Sequence, residues 1–249
     1  MTKREQAAQL LDELKEMAAG DAVAMAVVQD MTTKLEDSGI AEKSGNNLVV
    51  KSHMIFYGTE ADEKYCENIV CELENMWNEP KVCVEYDGVG YNVVFVFTYE
   101  VSTVKDVVVK AKVNKSPLNN FIRLETTNKK GRSYMLLNDN SGFWVTSDDL
   151  GNSTTGPHEK GHGYGLEHSD GDQRGKGQPN IMSARGTYVD PEYQYDPKAK
   201  AGEKGGTINP RKRKVSEAEV RAVVSGLTFN NKGIANIGNA NNTLFSKWN

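Results

Sequence analysis

HEKGHGYGLEHS, residues 158–169, gathers three of the four histidines of a 249-residue chain. His158 and His162 are four apart, so on a helix their imidazoles leave the same face, one turn above the other. That geometry suits two ligands of one ion. Gly165 can take a left-handed conformation, end the helix and turn the chain back, delivering His168 as a third ligand. Three neutral imidazoles leave the fourth position of a tetrahedral zinc open for water, as in a catalytic site and unlike a structural one. Glu159, directly after the first ligand, falls beside that open position as the candidate general base.

The same residues carry a resemblance. HEKGHGYGLEH fits HExxHxxGxxH, the zinc signature of the metzincin metallopeptidases, and Gly161, Leu166 and Ser169 extend the fit to HExGHxxGLxHS, which resembles the matrixin branch. The resemblance implies a methionine-containing turn beneath the metal, and Met182 in NIMSARG, fourteen residues after His168, supplies it. It also implies a fold: a mixed, twisted sheet with a backing helix and an active-site helix, then a glycine-rich lower part with the Met-turn and a C-terminal helix. In that plan Ser133–Leu137, the penultimate strand before the motif helix, resembles the antiparallel edge strand that pairs with an extended peptide substrate. Two departures stand out. Pro157 should start the motif helix and not sit within it. Ala184 stands where some metzincins carry a metal-facing tyrosine, two residues past the methionine; Tyr188, Tyr193 or Tyr195 could substitute, or could pack at the surface.

Outward from the motif, the pattern upstream alternates strand and helix. Leu48–Tyr57, Lys81–Tyr86 and Tyr91–Val101 read as strands around a helix over Ala61–Asn78, which repeats Tyr65, Ile69, Leu73 and Trp77 every four residues. Val107–Val113, Phe121–Thr126, Ser133–Leu137 and Gly142–Thr146 read as further strands, rich in β-branched and aromatic residues, with NKKGR at 128–132 as a turn. Downstream, 12 of the 23 glycines fall between Gly151 and Gly206, which predicts mostly loop. A last helix runs from Ser216 to about Leu227, opened by a capping box of Ser216 and Glu219. The layout is α+β, or α/β-like, with one sheet.

Residues 1–41 read as a helical hairpin. Thr2 and Glu5 form a capping box before Leu10, Leu11, Leu14 and Met17, and a second helix spans Asp21 to Asp37. Polar EKSGNN, 42–47, reads as a linker to a zinc metallopeptidase domain over 48–249. The hairpin is a pro-segment, a linker region of a larger protein or an accessory domain. It has no cysteine, which excludes a thiol latency switch, while Asp or Glu could still block a metal. The tail, from YQYDPKAKAGEKGG onward, resembles peptidase domains at the ends of Rhs-type polymorphic toxins.

Composition bounds the partners. A net charge of −4 with interspersed signs argues against a nucleic-acid surface, and the basic run Arg211–Lys214 reads as a solvated loop. No run approaches the roughly 18 apolar residues of a membrane span. The amphipathic start has no export signal, although the chain could be a piece of a longer secreted or delivered protein. Cys66, Cys71 and Cys83 read as buried thiols, not a disulfide framework. His53 reads as an ordinary half-buried histidine and Trp144 as core. Asp170 and Asp172 could hold calcium, but they lack an EF-hand pattern. The function expected is a zinc-dependent endopeptidase; the alternative is a non-catalytic metal-binding or interaction module of a larger assembly.

Overall fold

The computed structural model describes residues 40–247, and the hairpin expected for 1–41 lies outside them except for its last two positions. The described chain opens on β1 (Ala41–Ser44), which turns through Gly45, at φ 55°, into β2 (Asn47–Tyr57). The polar stretch 42–47 is therefore no linker. Its side chains are half-exposed or exposed, but its backbone pairs with β2 on one side and with β8 (Ile234–Ala235) on the other, both antiparallel. A short strand paired on both sides needs no apolar period, which is why its composition misled.

Ile40 and Ala41 are fully buried at the start of this strand. A chain beginning at Asn46 should therefore be less stable than one beginning at Gly39, by about 2–4 kcal/mol for lost burial and orphaned ladder groups. Urea unfolding of the two checks this, and equal midpoints would show β1 to be dispensable.

The sheet runs β3 (Cys83–Tyr86), β4 (Val89–Val101), β2, β5 (Asn119–Glu125), β7 (Ser141–Val145), β6 (Tyr134–Met135). β4, β2, β5 and β7 are mutually parallel, while β3 and β6 run antiparallel at the two edges. Helix α1 (Glu63–Asn78) connects β2 to the β3–β4 hairpin. Asp62 caps it by accepting from Tyr65 N, and Cys66, Ile69, Leu73 and Trp77 bury its stripe against the sheet. Cys71 and Cys83 lie off these buried faces and are exposed, so only Cys66 is the buried thiol expected of all three.

Residues 107–113, read as a strand, belong instead to helix α2 (Val104–Val113). Thr103 accepts from Asp106 N at 3.1 Å to start it. Val107 and Ala111, four apart, pack with Ile55, Tyr57 and Phe121. Four of its valines remain exposed, so a cap and one buried period-four pair outweigh the β-propensity of the composition. Topology gives the reason. The step from β2 to β4 goes one way across the sheet and the step from β4 to β5 returns, so right-handed crossovers place α1 and α2 on opposite faces.

The sequence between α3 (Thr155–Gly163) and α4 (Glu217–Val224) is loop, broken only by single 3-10 turns at Pro191–Tyr193 and Pro210–Lys212. The α4 capping box of Ser216 and Glu219 forms, and the helix ends three residues earlier than expected, before Gly226 at φ 64°. Trp144 is core, as expected, and His53 is half-buried with Nδ1 2.8 Å from Thr98 Oγ1. Among the described residues no helix is long and apolar enough to cross a membrane.

Candidate metal centre

Helix α3 is short and poor in intrinsic propensity, and its neighbours hold its two ends. Glu72 of α1 accepts from Gly151 N at 3.0 Å and Thr154 N at 2.8 Å, fixing the entry. The helix starts at Thr155, two residues before Pro157. Pro157 thus sits in the first turn, where a missing N–H costs no helical bond. At the other end Leu166 N bonds Gly161 O at 2.9 Å and Gly165 N bonds His162 O at 2.9 Å, a Schellman closure with Gly165 at φ 92°. The left-handed turn expected there brings His168 back to the helix.

The three imidazoles meet edge to edge. His158 Nδ1 lies 2.6 Å from Ile181 O, and His162 Nδ1 lies 2.8 Å from Leu166 O. Each of these Nδ1 atoms must carry the proton, because a carbonyl only accepts. The lone pairs of both rings are therefore on Nε2. Those atoms converge on His168 Nε2, at 3.1 Å from His162 and 3.3 Å from His158. A tetrahedral ion at a Zn–N distance of about 2.0–2.1 Å separates its ligand nitrogens by about 3.3–3.4 Å. These two separations fit ligands of one ion, and the three candidate ligand atoms all lie within 4.8 Å of one another. Burial lowers the pKa of all three rings, most strongly at His158, with Arg213 pushing the same way and Arg132 adding to it at His162 and His168. The rings therefore stay neutral and able to bind metal. His158 is buried, His162 half-buried and His168 exposed, so the cluster opens to solvent on one side.

Glu159 is 7% exposed and its Oε2 accepts from Met135 N of β6 at 3.1 Å. It lies in the wall between helix and edge strand, more enclosed than a cleft carboxylate, and burial pushes its pKa up to about 8 against the pull of Arg213. Leu136 N bonds Ser141 O at 3.0 Å, so in the β6–β7 register the Met135 N–H points away from β7. β6 is shorter than the strand expected over Ser133–Leu137. Ser133 N is held by Asp148 Oδ2 at 2.7 Å and Asn138 N by His162 O at 2.7 Å. A Cβ on Gly163 would stand 2.6 Å from Met135 Cε and 3.1 Å from Asp139 O, so a side chain there would have to displace the Met135 thioether and press on the Asp139 carbonyl.

Met182 is buried, and its sulfur occupies the space that a Cβ on Gly161 would need. Met182 O accepts from Ser169 N at 3.1 Å, one residue past His168. Glu219 receives Met182 N at 2.9 Å and Ile181 N at 3.3 Å besides closing its own capping box, so one carboxylate ties α4 to the segment that orients His158. The capping box was legible in the sequence; this second task was not. Tyr188 and Tyr195 are exposed, and Arg174 stacks over Tyr188 at 5.6 Å. Asp172 pairs with Arg174, and Asp170 pairs with Lys176 at 3.3 Å. His158, His162 and His168 form the one cluster among the described residues with the spacing of a metal site, and neither aspartate belongs to it. The basic run 211–214 also departs from expectation: Arg213 is 4% exposed.

Lys160, on the same helix, is fully enclosed, with Nζ 2.7 Å from Asn120 Oδ1 and 4.2 Å above the Tyr164 ring. Burial lowers its pKa from 10.5 to about 7. Between those values the unfolded chain binds more protons than the folded one, so Lys160 makes stability rise with pH from 7 toward 10.5 and weighs fully on the fold below 7. Lys160→Met should therefore be most stabilising, relative to the natural chain, below pH 7, and the gain should shrink as pH rises. Opposing it is the Asn120 partner lost, about 1 kcal/mol. Denaturant midpoints at pH 6 and pH 9 check this, and a pH-independent difference would contradict it.

Comparison with family models and with curated proteins returned no match. Among solved structures, archaemetzincin from Methanopyrus kandleri aligns over 73% of this chain and 96% of its own, at a TM-score of 0.38 and 9% identity. A likeness of that degree decides neither fold nor activity.

Proposed function

We propose that this chain is a zinc-dependent endopeptidase, with His158, His162 and His168 holding the metal and Glu159 as general base. The observation that carries the reading is the convergence of three Nε2 atoms, two of them left with lone pairs by Nδ1–H bonds to backbone carbonyls. When bound, zinc would supply an acidified water for attack on a carbonyl. Glu159 takes a proton from the attacking water at a carboxylate oxygen and returns it to the leaving amine nitrogen. Met182 serves as the floor of the site, its sulfur filling the notch at Gly161. The substrate lies as an extended strand along β6, where main-chain pairing aligns the scissile bond with little demand on side chains. Its carbonyl takes over the outward Met135 N–H now bonded to Glu159, which releases the carboxylate toward the reacting water.

Zinc analysis and cleavage of casein and of a diverse peptide library test this together. One zinc per chain and chelator-sensitive cleavage are expected. Met135→Pro removes the N–H of the edge strand and should raise KM more than it lowers kcat; unchanged cleavage would move the substrate elsewhere. One observation favours a metal-binding module without hydrolysis: Glu159 is turned to Met135 and its pKa is raised by burial. A zinc-loaded chain that cuts no member of the library selects that alternative.

A further inference from the structure

Three arginines stand on three loop segments that adjoin the candidate centre. Arg132 immediately precedes Ser133, whose N–H is held by Asp148. Arg185, three residues past Met182, pairs with the other oxygen of Asp148 at 2.5 Å. Arg213 sits on a segment fastened to the one that orients His158: Lys214 N bonds Pro179 O at 3.0 Å, and Lys214 bridges Asn180, next to Ile181. Arg132 and Arg185 are solvent-accessible, whereas Arg213 is almost wholly enclosed, with Nε and Nη1 both lacking any hydrogen-bond acceptor.

A buried guanidinium with two open donors is costly unless an acceptor arrives. The acidic groups at hand hold other donors, and neither is bonded to Arg213. Asp148 is divided between Ser133 N and Arg185, and Glu159 holds Met135 N. The positive charge of Arg213 nevertheless bears on Glu159 and on all three imidazoles. A planar guanidinium matches a carboxylate in shape, donor count and charge.

We propose that Arg213 anchors a carboxylate of the substrate, so that this centre favours peptides with a carboxylate close to the scissile bond. That group is the side chain of Asp or Glu, or the free C-terminus. The proposal rests on the peptidase reading above. Arg132 and Arg185 at the rim draw the same charge toward the site, and Arg213 fixes it.

The test uses matched peptides that differ by Glu against Gln beside the cut bond, and by free acid against C-terminal amide. The zinc-loaded chain should cleave the carboxylate member of at least one pair with at least about tenfold higher kcat/KM. The pair that responds identifies the source. Arg213→Met should erase the preference chiefly through KM while zinc content is kept, and Arg213→Lys should restore part of it. A second arm measures binding of the same peptides to zinc-loaded Glu159→Gln, which needs no turnover. Cleavage without preference in either pair, or full preference in Arg213→Met, overturns the anchor while leaving the peptidase reading intact. Preferential binding without cleavage by the natural chain removes the peptidase reading and, with it, the substrate preference proposed here. Neither cleavage nor preferential binding overturns both.

Discussion

Glu159→Ala is expected to keep its zinc and to lose peptide hydrolysis by at least about a hundredfold, the lower range for a positioned general base. Zinc should stay because the three Nε2 donors do not involve this side chain. The structure adds a cost that the sequence did not foresee, since Glu159 is buried and satisfies Met135 N. Alanine leaves that N–H without a partner, which costs about 1–3 kcal/mol. Part of any loss in the Ala variant could then be blamed on a shifted edge strand. Glu159→Gln separates the two, because an amide oxygen can still accept from Met135 while it cannot take a proton from water. Both variants should fall together. Glu159→Asp should be impaired as well, since a carboxylate one methylene shorter is drawn away from the water it deprotonates. If the Gln variant, with zinc bound, cleaves like the natural chain, Glu159 is not the base.

What the sequence disclosed and what it hid divide along one physical line. The histidine cluster was legible because its spacing is set by a helical turn and a single left-handed glycine, both local, and the structure places the three rings together. The α1 stripe and the α4 cap were legible for the same reason. The α+β class followed from the alternation of such local elements. Features decided by distant partners were misread. β1 is polar and owes its existence to neighbours at Val50 and Ala235. The valines of α2 read as a strand because nothing local shows which face the crossover must cover. Arg213 sits in a basic run that looks solvated, and it is enclosed where the next residue pairs with the distant segment at Pro179 and Asn180. The burial of Glu159 likewise depends on how close Gly163 lets the helix approach Met135.

The largest stability effect expected is that of the metal itself, and it follows from how weakly α3 is built. Its nine residues, TGPHEKGHG, include three glycines and a proline, and its N-cap Thr154 stands at φ 63° with no side-chain cap bond. Each glycine costs about 1 kcal/mol relative to alanine in a helix interior, yet Gly161 and Gly163 cannot be replaced without meeting Met182 and Met135. The helix is therefore held by Glu72 at its start and by the Gly165 closure at its end, and a bound ion would tie that end further. Without an ion, the Nε2 lone pairs of His158 and His162 face a third imidazole, and the pKa of each ring is lowered so that protonation does not readily relieve the crowding. Free zinc at 100 to 1,000 times its Kd adds about 2.7–4.1 kcal/mol to the folded state, or roughly 5–15 °C in Tm for a domain of this size. His162→Ala should lose this increment entirely and melt alike with zinc or chelator. Glu159→Gln should retain it, and so should His53→Ala, whose ring bonds Thr98 away from the cluster. Calorimetry of the four chains, with zinc and with chelator, reads the outcome directly. A natural chain whose Tm ignores zinc, or a His162→Ala chain that still responds to it in full, would remove the metal from the centre and the peptidase reading with it.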